Sequence, residues 1–117
     1  MTHVITPVEV EQRIALCLDE MEARTQDYRH LAETAAESEA VYRRKHALTV
    51  LGVINSHPRM SVMERNARVD AAVNDDYQAY LMSKAARDSC REALTTLRET
   101  LSGLRTLSVN TRELARP

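Results

Sequence analysis

An all-α fold, a long antiparallel two-helix hairpin of coiled-coil character, is the class this sequence predicts, and three observations predict it. Only two glycines and three prolines occur in 117 residues, whereas folds built on many turns consume both residue types. Ala, Leu, Glu, Arg and Met, the strong helix formers, dominate the composition. Finally, 44% of residues are apolar, yet Trp and Phe are absent and Tyr occurs only four times. Small apolar side chains suit close helix-to-helix packing better than a thick globular core. At this length the chain is one domain, residues 1–117.

Helix one opens at Thr6-Pro7-Val8-Glu9. Thr6 suits a helix cap, Pro7 the first helical position, and Glu9 the third, where its carboxylate can reach back to the cap. Ile14, Met21, Tyr28, Ala35 and Tyr42 then recur every seven residues, flanked by Leu18, Leu31 and Ala32. No proline interrupts before Pro58. The spacing predicts one helix over about 7–53, on the order of 65–70 Å long, and a length of that order points to a coiled coil. Val41, Leu48 and Leu51 drift to another side of this helix.

Asn55-Ser56-His57-Pro58 is the one strong break. It predicts a turn over about 54–60, because proline disfavours helical backbone at the residue before it. Ser61-Val62-Met63-Glu64 repeats the capping pattern and opens helix two, about 61–107. Its second half carries a leucine heptad, Cys90, Leu94, Leu97, Leu101 and Leu104, at alternating spacings of four and three. Val69, Val73, Tyr77 and Tyr80 read as a separate seam. Gly103 lies off the leucine seam, and residues 108–117 read as a fraying polar tail. This is more apolar surface than one hairpin contact covers. Self-association is therefore expected, with Cys90, Leu94, Leu97, Leu101 and Leu104 as the subunit interface.

No catalytic signature occurs: no GxSxG, phosphate-binding loop, HExxH or dinucleotide-binding glycine pattern. Asp75 and Asp76 are adjacent and point about 100° apart on a helix, which suits a solvated face. His30, His46 and His57 are isolated, and Cys17 and Cys90 lack metal-ligand spacing. The chain is expected to be non-enzymatic, with no cofactor and no metal. Free thiols suit a reducing compartment. Met1 to Pro7 shows no basic start followed by an apolar stretch, and no apolar run approaches about 18 residues. A cytoplasmic location with no membrane contact is expected.

Net charge is −1, but it is unevenly placed. Residues 1–42 carry nine acids (Glu9, Glu11, Asp19, Glu20, Glu22, Asp27, Glu33, Glu37, Glu39) against Arg13, Arg24 and Arg29. Residues 43–68 carry Arg43, Arg44, Lys45, Arg59, Arg65 and Arg68 against Glu64 alone. In a hairpin these six cations are expected to collect at the turn end. Such a cluster suits a nucleic-acid backbone, whose counterions it would release, with Tyr42 placed to stack on an unpaired base. The same cations suit a local role at the helix end. The acidic first half would either hold nucleic acid at the turn end or dock on a neighbour's basic residues.

Tyr42-Arg43-Arg44-Lys45-His46-Ala47, then Met63-Glu64-Arg65 leading into Val69-Asp70 and Val73, then the leucine-rich Leu94–Leu107 stretch with Arg112 beyond it, together resemble the small recombination mediators of T-even-type phages (UvsY-like). The resemblance is diffuse and covers most of the chain. It implies an oligomer in the cytoplasm of a bacterial host that binds single-stranded DNA and helps a recombinase displace a single-strand-binding protein. It also implies that Arg43, Arg44 and Lys45 contact the DNA and that the leucines join subunits. The chain departs from the family in lacking a Trp in helix two and in replacing a Gly-containing turn with Asn55-Ser56-His57-Pro58. The other class of function consistent with the residues is a coiled-coil adaptor, assembly chaperone or virion component without nucleic acid. A regulator that inserts a helix into a partner's groove is a third.

Overall fold

A computed structural model describes residues 5–114. Helix α1 spans Pro7–Ser56 and helix α2 spans Val62–Leu114. No strand occurs among the described residues. The chain divides into two compact units, an end unit (1–28 with 89–117) and a turn unit (29–88), each built from one stretch of each helix.

Both helix starts form as the capping patterns imply. The Glu9 backbone N–H donates to Thr6 Oγ1 and the Glu64 N–H to Ser61 Oγ, each at 3.2 Å. Helix α1 runs three residues beyond its expected end. The His57 N–H still reaches Val53 O at 2.9 Å, and the Met60 N–H then closes the turn on His57 O at 3.1 Å. Pro58 has no N–H to continue the ladder, so the helix stops there.

In the end unit, Val10 and Cys17 of α1 are buried, with Ile14 and Met21 half-buried between and beyond them. They face the leucine heptad of α2, where Cys90, Leu94 and Leu101 retain only 7%, 5% and 6% exposure and Leu97 and Leu104 are half-buried. The two buried thiols tie the helices further, Cys17 Sγ to Leu97 O and Cys90 Sγ to Arg24 O, both at 3.5 Å. Both cysteines are free. The leucine seam, expected from sequence to be the subunit interface, packs on helix α1 of the same chain, which buries Cys90, Leu94 and Leu101 and leaves Leu97 and Leu104 half-buried. The expected fraying tail is also corrected. Helix α2 continues to Leu114 because Ser108 and Thr111 are half-buried and Arg112 donates to Glu11 Oε1 at 3.1 Å. Residues 115–117 of that tail, and 1–4 at the other end, lie outside the described residues.

In the turn unit the buried side chains are Ala35, Val69 and Val73. Polar residues occupy the next seam positions of α2, with Asp76, Ser83 and Arg87 all half-buried. Ser38 and Ser83 share a hydrogen bond at 3.1 Å across the helices. Val73, Tyr80, Arg87, Leu94 and Leu101 are all multiples of seven apart. The two seams read separately on α2 are thus one heptad register, with Tyr77 lying off it.

Truncating Leu94 or Leu101 to Ala is expected to cost about 2–4 kcal/mol in denaturant unfolding, and Ser61→Ala about 1 kcal/mol through the lost cap.

Candidate interaction surfaces

The six cations expected at the turn end separate into two groups. Arg43, Arg44 and Lys45 lie about 18 Å along α1 from Ser56, at 1.5 Å per residue. Arg59 lies in the turn itself, with Arg65 and Arg68 in the first turns of α2. Within the run, successive side chains are rotated by about 100°, so the three cannot share one face.

Two of the three are already paired. Arg43 Nε donates to Glu39 Oε1 at 2.8 Å, one turn back on the same helix. That hydrogen bond, and then the Glu39 charge, hold the guanidinium above its ordinary range. Lys45 Nζ lies 2.7 Å from Asp76 Oδ2 on α2. That contact, and then the charge of Asp76, raise the Lys45 ammonium as well. The approach is poorly aligned for a hydrogen bond: Asp76 Oδ2 is buried with an ion-pair partner but no well-directed donor. The acidic pair on α2, read from sequence as a solvated face, therefore neutralises part of the basic run.

The remaining cations differ from one another. Arg44 and Arg59 are exposed and have no partner among the described residues. Arg68 Nη1 lies 3.0 Å from His57 Nε2. A guanidinium has only donors, so His57 accepts through that nitrogen. Arg65 is half-buried, and its Nε is enclosed without a partner.

Tyr42 is not free to stack on a base. Its ring lies parallel to Tyr80 (centroids 6.0 Å, 11°) and tilted against Tyr77 (5.1 Å, 47°) and His46 (5.9 Å, 55°). The aromatic group belongs to the seam of the turn unit, and His46 is part of it rather than isolated.

The drift of Val41, Leu48 and Leu51 leaves them on the side of α1 turned away from α2, at 55%, 58% and 58% exposure. With Arg44 they repeat at spacings of three and four, 41-44-48-51, which is a second heptad edge. Ala40 and Ala47 beside them are exposed and small. Gly103, by contrast, has open space where a side chain would stand.

Sequence reading passed over one further feature, the column Arg91, Arg98, Arg105 and Arg112 at seven-residue intervals on α2. Its signal was present but hidden by the even balance of charge over residues 69–117. Arg112 pairs with Glu11 at 3.1 Å, so the acidic first helix docks at that point on the chain's own basic column. Arg98 and Arg105 are exposed without partners among the described residues.

Among the described residues, no group of three or more His, Cys, Asp or Glu side chains is placed to hold a metal ion, and no helix is long and apolar enough to cross a membrane.

Raising the Lys45 pKa on folding means that its contribution to stability is complete below the unfolded ammonium value and is lost as pH climbs through the folded one. Lys45→Met is therefore expected to lower the melting temperature at neutral pH, with the gap to wild type closing in alkaline solution above about pH 10. Asp76→Asn in the same background should recover part of the loss; a gap that is flat with pH would contradict the pairing.

Comparison with protein-family models, with curated proteins and with solved structures finds no match to this chain.

Proposed function

We propose that this chain is a non-catalytic helical-hairpin interaction protein, an adaptor or assembly component, whose working surface is the outer edge of α1 and whose first partner is a second copy of itself. The observation that carries this reading is the heptad repetition of exposed Val41, Leu48 and Leu51 opposite the hairpin seam. An edge with coiled-coil spacing is covered by another helix at little cost in side-chain rearrangement. Glu37 and Arg44 lie one heptad apart on the same side of α1, which places opposite charges within reach when a second copy aligns there. Near-zero net charge permits such association, because long-range repulsion is small.

Single-stranded DNA binding in recombination is the second reading. Arg44, Arg59, Arg98 and Arg105, all exposed and unpaired among the described residues, support it. The neutralisation of Arg43 and Lys45 and the enclosure of Tyr42 weigh against it. Under this reading the protein would hold a strand for a recombinase in place of a single-strand-binding protein, in the cytoplasm of a bacterial host.

Sedimentation and light scattering test the first reading. The wild-type protein is expected to exceed its monomer mass at micromolar concentration, and Leu48→Asp with Leu51→Asp to become monomeric with its helicity intact. A monomeric wild type would refute self-association. For the second reading, an unstructured oligonucleotide should bind with a log–log salt slope of about 0.7 per phosphate contact, weakened by joint replacement of Arg44 and Arg59 with Ala. Absence of binding at low salt would exclude it.

A further inference from the structure

We infer that the turn unit holds a binding groove for an alkylguanidinium group, between Asp70 and the tyrosine cluster. The groove has a volume of about 380 Å³ and is lined by Tyr42, Asp70, Val73, Asn74 and Tyr77. That is within the size range of small-molecule sites. Residues 70, 73, 74 and 77 follow the i, i+3, i+4, i+7 pattern, so one face of α2 supplies its length and Tyr42 of α1 supplies a wall.

The two ends of the groove differ in chemistry. Asp70 is exposed and has no hydrogen-bond or ion-pair partner among the described residues, unlike Asp76, which is held by Lys45. About 10 Å along the helix, at 1.5 Å per residue, stands Tyr77, which is 39% exposed. Its ring is tilted against Tyr42, and Val73 is buried between the ends. A free carboxylate at one end and aromatic rings over an apolar floor at the other select a cation with an apolar stem.

The head group pairs with Asp70 while the apolar stem runs along α2 toward the exposed edge of the tyrosine cluster, against which it packs. A guanidinium fits better than an ammonium. It is planar, weakly hydrated, stacks on rings and meets a carboxylate through two parallel N–H donors. The Asn74 amide at the rim accepts a further N–H. None of Val41, Leu48 and Leu51 lines this groove, so the inference stands or falls apart from self-association.

The test uses the full chain and N-acetyl-arginine amide as probe. With no Trp in the protein and three of its four tyrosines in this cluster, tyrosine emission reports the site directly. The expected result is a saturable change in emission, about tenfold weaker in Asp70→Asn, consistent with loss of one charge-assisted contact. The neutral isostere N-acetyl-citrulline amide should give no saturation. Asp70 is exposed, so its replacement leaves the helices formed, as circular dichroism will verify. No saturable response, equal binding by Asp70→Asn, or equal binding of the citrulline probe would each overturn the assignment.

Discussion

Contact between the inward stripes of α1 and α2 is the constraint on which the other features depend. A helix resting on a single partner buries only the residues that return to one side every three or four positions. Everything else stays in water, whatever its polarity. In the end unit every buried residue of that stripe is apolar: Val10, Cys17, Cys90, Leu94 and Leu101. In the turn unit the stripe is mixed, and Ser38, Ser83, Asp76 and Tyr42 sit where an ordinary coiled coil would place leucine. Polar groups withdrawn from water need partners, and each of these half-buried side chains finds one across or along the pair, by hydrogen bond, ion pair or ring contact.

That polar stretch governs the electrostatics of the basic run. Arg43 and Lys45 flank the seam, where Glu39 and Asp76 lie within reach, while Arg44 points away from it. A run of three cations in the sequence becomes one free charge in space. The same geometry explains Asp70: displaced from the seam on α2, it meets no cation among the described residues of α1 and faces a groove instead.

The outer edge of α1 follows from the same rule in reverse. Its period keeps Val41, Leu48 and Leu51 together but out of phase with the inward stripe, so no part of the turn unit covers them. Val8, Leu16 and Leu18 of α1 are exposed as well, but Val41, Leu48 and Leu51 are organised, and organisation at coiled-coil spacing is what separates an interaction edge from incidental exposure.

Sequence alone determined the helical class, the two caps at Thr6 and Ser61, the break at Pro58 and the leucine heptad, because each depends on neighbours a few positions away: propensity, capping and periodicity are local. The outward drift of Val41, Leu48 and Leu51 was legible for the same reason. Only the tertiary structure decided what faces each stripe. It showed that the leucines are covered within the chain. It also showed that Lys45 meets Asp76, that Tyr42 is enclosed by Tyr77 and Tyr80, and that the tail stays helical against Glu11. Those outcomes depend on which residue of one helix lies opposite which residue of the other. That register is set by the summed packing of two long helices, and no short stretch of either one contains it.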